Sequence, residues 1–229
     1  EALGYEDRIY DALLDQFEPG MKTAHVAAVF DGLRSELVPF VQQVFARLDA
    51  VDHAMLHLPY DVSKQAAFGL EVVKQLGYDF SRGRQDIAVH PFTTNFSIND
   101  VRITTRYLPN FLPSALFGSV HEAGRGRAEQ GRHHAPETTP LAGLVSLGVH
   151  ESQSRLWENI VGRSKPFWQH FYPLLQKTFP EQLGNVSLDA FYRAINFVSR
   201  SLIRVEADEV TYNLHIMLRF EMENDLLEG

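Results

Sequence analysis

Residues 121 to 131 read HEAGRGRAEQG. His121 followed by Glu122 opens the His-Glu-x-x-His pattern, in which two imidazoles one helical turn apart grip a zinc ion. Residues i and i+4 share a helix face, so both lone pairs can point at one cation. The Glu beside the first His is then placed to take a proton from metal-bound water. A third ligand has to come from another element. Glu151, in HESQ at the start of a later helical stretch, is the candidate. The place of the second imidazole, however, is held by Arg125. A guanidinium stays protonated and offers only donors, so it cannot ligate a metal, and its charge repels a dication at short range. The pattern therefore predicts weak zinc binding or none. It also predicts that Arg125 pairs with Glu122 or Glu151, because buried carboxylates need a partner.

The pattern of the chain indicates which elements must hold these residues. Ile9, Leu13, Leu14 and Phe17 are spaced for a helix over 5–17, ended by EPG. Thr23 is an N-cap candidate for a helix reaching about Leu48, with Val26, Val29, Phe30, Leu33 and Leu37 as its apolar stripe and Pro39 expected to kink or divide it. A third helix is expected over 61–80, capped by Asp61 or Ser63, with Gly77 at its C-terminal end. Residues 85–107 are rich in β-branched and aromatic side chains and turn at Asn99-Asp100, which predicts two or three short strands in an antiparallel hairpin.

The His-Glu helix should run from about Ser114 to Gln130 and stop at Gly131. A loop, RHHAPETTP, separates it from a helix that carries Glu151 and buries Leu156, Trp157, Ile160 and Val161. Another helix with Pro173 inside it follows, and its aromatic set Phe167, Trp168, Phe171 and Tyr172 reads as core. One or two long helices, with Ser187 and Asp189 as cap candidates, finish the chain. The fold class expected is mainly α, with one small antiparallel β element just before the His-Glu helix, in a single unit over 1–229.

Composition narrows the function. The 229 residues include no cysteine, which excludes disulfides, thiolate metal sites and a cysteine nucleophile and fits a cytoplasmic place. A net charge of -8 argues against a nucleic-acid partner, GRGR notwithstanding. No stretch is apolar enough for a membrane span. His25, His53, His57, His170 and His215 are isolated in sequence and read as surface or satisfied core residues.

Five motifs occur in order: HPF at His90 to Phe92; Asp100, Arg102 and Thr104 as Asp-x-Arg-x-Thr; His121-Glu122; HESQ at His150 to Gln153, continuing as SRLWENIVGRS; and IRVEAD at Ile203 to Asp208. Together they make the chain resemble the carboxypeptidase Taq family of zinc metallocarboxypeptidases. The resemblance covers essentially the whole chain and only the central portion of the family. The N-terminal lid helices and a C-terminal segment with Gly-x-x-Gln-Asp-x-His-Trp have no counterpart here.

The resemblance implies zinc held by His121 and Glu151, with Glu122 as general base. It implies that Arg102 or Arg204 receives a peptide's terminal carboxylate, which a guanidinium fork matches. His90 and His150 would steady the ligands or the oxyanion. It further implies peptide C-termini as substrate, release of single amino acids, and a homodimer. The departures from the family pattern cluster at 125–137, where Arg125, Arg127 and Ala128 stand in family positions and Arg132, His133 and His134 follow. They come from divergence, alteration or a sequence error. A substitute ligand from His133 or His134 would lie beyond the helix end at Gly131. The alternative function is a catalytically inactive relative that binds peptides or serves as a structural partner.

Overall fold

The computed structural model describes residues 4–132, 139, 142, 143 and 145–229. His133 and His134 lie outside the described residues, as does most of the RHHAPETTP loop. The chain divides into two compact units. The first consists of Glu1–Val51, Val145–Gly148 and Phe197–Gly229, and the second of Asp52–Leu144 and Val149–Asn196.

In the first unit, α1 (Ile9–Leu14) is shorter than its apolar spacing predicts, and α2 covers Thr23–Phe45. Thr23 is the first residue of α2 rather than its cap. Its N–H and hydroxyl donate instead to the buried Asp11 carboxylate, at 2.7 and 2.5 Å. Pro39 does not divide α2; it lies on the exposed side of the helix. Val29 and Leu33 of the expected stripe are exposed. The stretch between Ser187 and the C-terminus, expected as one or two long helices, is interrupted. Residues 196–211 are irregular apart from a 3-10 turn at Arg204–Glu206, and only α9 (Tyr212–Glu228) is long. Asp208 drives this break, because its carboxylate accepts from the N–H groups of Ser199, Val210 and Thr211. Phe220 of α9 meets Tyr10 and Phe30 edge-on, at 5.5 and 5.3 Å between centroids.

The second unit is built around α4 (Leu112–Gln130), which is buried on nearly every face. On one side lies α3 (Val62–Gln75), capped by Asp61, whose side chain accepts from the Lys64 N–H, and closed by Gly77 at φ 94. On another lies a three-stranded sheet of β1 (Gly83–Ile87), β2 (Thr93–Ser97) and β3 (Asp100–Thr105), in the order β1-β3-β2. The β2–β3 hairpin is antiparallel, as the turn at Asn99-Asp100 predicts. β1 instead runs parallel to β3, a correction to the all-antiparallel expectation. Residues 88–92 carry the chain to the far edge of β3, which leaves β1 and β3 in the same direction. Val101 and Ile103 on β3 are fully buried, while Arg102 between them is exposed, the alternation of a half-covered strand.

After α4 come α5 (Leu147–Arg155) and a π-helical turn over Leu156–Val161. Trp157 and Val161 pack against the core as expected, but Leu156 and Ile160 are exposed. α6 (Lys165–Thr178) carries Phe167, Trp168, Phe171 and Tyr172 into the core, as the sequence indicates. α7 (Pro180–Leu183) is a single turn. α8 (Leu188–Ile195) begins at Ser187, whose side chain accepts from the Ala190 N–H, and sets Phe191 4.7 Å from Trp168. No helix among the described residues is long and apolar enough to cross a membrane.

Candidate metal centre

His121, Glu122 and Arg125 project from the buried middle of α4, and Glu151 comes from α5. The two helices approach closely because residue 124 is glycine. A Cβ there would sit 2.8 Å from the Gln153 carbonyl oxygen and 2.9 Å from the Ser154 Cα. Glu122 is 4 % exposed, so its carboxylate must find partners inside. Thr93 on β2 supplies one, with its hydroxyl 2.6 Å from Glu122 Oε2.

Arg125 fills the space that a ligand imidazole would share with a metal. Its Nη2 donates to Glu151 Oε2, and its Nη1 lies 3.9 Å from Glu122 Oε2. His121 Nε2 is 3.5 Å from Glu151 Oε2, and its Nδ1 is 2.7 Å from Glu158 Oε2. Arg155 reaches both Glu151 and Glu158, each at 3.3 Å. Burial opposes a charged His121, but the bonds to Glu151 and Glu158 outweigh it and push its pKa up to about 9. Burial likewise opposes a charged Glu151, yet His121, Arg125 and Arg155 bring its pKa down to about 2. Glu158 is lowered in the same way by His121 and Arg155.

Side chains of both signs therefore meet here: Glu122, Glu151 and Glu158 face His121, Arg125 and Arg155, and the charge of Arg163 also acts on Glu158.

Among the other residues singled out from the sequence, His150 also meets Arg125, through a hydrogen bond to its backbone. His150 precedes Glu151, but its Nε2 lies 3.3 Å from Glu129 Oε1 and makes no hydrogen bond among the described residues. His90 is exposed, with Nδ1 3.1 Å from the Pro91 carbonyl oxygen. Arg102 is held by both oxygens of Asp100 at 2.8 Å and lies over the Phe96 ring. Arg204 belongs to the first unit, where it donates to the Tyr212 hydroxyl at 2.7 Å. Thr93, Arg155 and Glu158 escape the sequence reading. Glu151, Arg155 and Glu158 do carry a signal, because i, i+4 and i+7 share a helix face and alternate in charge. Nothing in the sequence marks Thr93.

The family model of the carboxypeptidase Taq (M32) metallopeptidases matches residues 1–229. The chain belongs to the carboxypeptidase Taq (M32) family. Among curated relatives, it is 47% identical over 221 residues to thermostable carboxypeptidase 1 of Thermus thermophilus, covering 96% of this chain and 43% of that protein. It is 44% identical over 226 residues to carboxypeptidase 1 of Bacillus subtilis, covering 99% and 45%. An M32 carboxypeptidase structure from Deinococcus radiodurans superposes with a TM-score of 0.93 at 48% identity, over 96% of this chain and 44% of that one. A Pyrococcus furiosus carboxypeptidase structure gives 0.92 at 41%, over 97% and 45%. The chain thus spans less than half the length of the relatives it matches.

Membership in a metallopeptidase family implies a divalent metal. The side chains present do not fit one. Among the described residues, no three His, Asp or Glu side chains converge as a metal requires. The position between His121 and Glu151 carries a guanidinium that is bonded to the carboxylate a metal would use.

Proposed function

We propose that this chain is the central part of a metallocarboxypeptidase-type protein. The M32 scaffold serves zinc-dependent hydrolysis of the last peptide bond of a peptide, with release of single amino acids. In that scheme His121 and Glu151 are ligand positions, and Glu122 is the group that moves the proton. Arg102 or Arg204 receives the terminal carboxylate, and His90 and His150 support the site. Family membership and the nearness of His121 to Glu122 and Glu151, at 4.0 and 3.5 Å, support this reading. The notion of a cytoplasmic homodimer rests on the lack of cysteine and on the family resemblance.

One observation favours the second reading for the residues as they stand, a catalytically inactive relative that binds peptides or acts as a structural partner. It is the Arg125–Glu151 pair. Arg125 puts a fixed positive charge against Glu151. Histidine at 125 would remove that charge and supply a lone pair in its place. Arg125→His is therefore the deciding variant. The chain as it stands is expected to release no amino acids from a short peptide and to hold no metal at this site. Arg125→His is expected to gain one zinc that depends on His121, and amino-acid release with it. Stoichiometric, His121-dependent metal in the unaltered chain would contradict the inactive reading. Failure of Arg125→His to take up metal would contradict the carboxypeptidase reading.

A further inference from the structure

Two imidazoles meet on a short turn ahead of α3, in a part of the second unit that plays no role in the cluster around Arg125. The segment after Asp52 winds into a 3-10 helix over Ala54–His57. Asp52 starts it by accepting the Ala54 N–H at 2.9 Å. His53 stands just before the turn, and His57 closes it. Their rings meet near edge-on, with centroids 5.4 Å apart. Nδ1 of His53 and Nε2 of His57 are 3.4 Å apart on the exposed side of the turn.

That separation has a specific meaning. Two zinc–nitrogen bonds of about 2.0–2.1 Å, meeting at the tetrahedral angle, hold their nitrogens about 3.3–3.4 Å apart. A direct N–H···N bond at 3.4 Å is long by comparison, since such bonds cluster nearer about 3.0 Å. The pair is also oriented before any ligand arrives. The His57 ring is stacked on Phe111 at 4.9 Å and 27°. Burial against that neighbour, and the charge of His53, hold the His57 pKa below its ordinary value. Its ring is then neutral at neutral pH, and a neutral imidazole carries the lone pair that a metal needs.

We infer that His53 and His57 form an exposed two-histidine site for a late first-row divalent cation, Zn2+ being the fitting one, completed by water. Imidazole favours zinc, nickel and copper, whereas magnesium prefers oxygen.

The test is calorimetric titration of Zn2+ into the metal-free protein, with Mg2+ as control. One equivalent of Zn2+ should bind and Mg2+ should not. Zn2+ affinity should fall about tenfold or more in His53→Ala and in His57→Phe. The second variant keeps a ring on Phe111 and removes both nitrogens. The ring signals of His53 and His57 should also shift on Zn2+ addition in the unaltered chain. An affinity unchanged in both variants, or no uptake below the order of 1 mM Zn2+, would overturn the inference. Loss of the bound equivalent in His121→Ala alone would overturn it too. That outcome would separately refute the view that Arg125 closes the family's metal position.

Discussion

Arg125 offers five N–H donors to a cluster of carboxylates, where an imidazole would offer one lone pair. Glu151 accepts from it, Glu122 lies within reach, and His121 turns both ring nitrogens toward carboxylates. Such a pair is hard to break from one side, because removing one charge strands the other. Arg125 and Glu151 are each about a third exposed, so water softens the loss. Arg125→Ala is expected to cost about 1–2 kcal/mol, between the values for exposed and buried pairs. Glu151→Gln alone should cost a similar amount, and the double variant less than the sum of the two. Urea unfolding of the four proteins checks this, and strict additivity would show that the two side chains do not interact.

At the scale of elements, α4 carries the site, and close packing on α5 sets the distance between its two halves. Gly124→Ala should push the helices apart, since the new methyl would meet backbone atoms of Gln153 and Ser154 and not a movable side chain. A loss of about 1–3 kcal/mol is expected from overpacking. The His121 ring resonances should change as its contacts with Glu151 and Glu158 loosen. Most helices were legible from apolar spacing and caps: α3 from Asp61 and Gly77, α4 from its stop at Gly131, α8 from Ser187. What spacing hid was longer in range. Strand direction in β1 depends on where residues 88–92 lead the chain, which no local pattern records. The break before α9 depends on the Asp208 carboxylate collecting N–H groups from both sides of it. At the site, His121, Glu122, Arg125 and Glu151 could be read from motif and spacing, as could the carboxylate pairing of Arg125. Glu158 lay outside the short motifs, although its i+7 spacing from Glu151, with Arg155 between them, marks the same helix face.

For the whole molecule, acid should act on the first unit through Asp11. Hydrogen bonds from Thr23 hold this carboxyl below its ordinary value of 3.8. The folded state therefore binds the Asp11 proton less readily than the unfolded chain does. The stabilisation is complete well above pH 3.8 and fades as pH falls through that value toward the lowered one. Thr23→Val should flatten this part of the stability–pH curve, measured by thermal unfolding between about pH 5 and pH 2. An unchanged slope would mean that the Asp11–Thr23 bonds do not set it. The first unit has another property, which concerns the order of synthesis. Its chain comes in three pieces, and the last begins at Phe197, after the second unit's sequence is complete at Asn196. Within this stretch, α1 and α2 are translated before the second unit, and α9, which completes their unit, after it. Domains usually fold in the order in which they are made. Here the second unit's chain is complete first, so the first unit is expected to close after it.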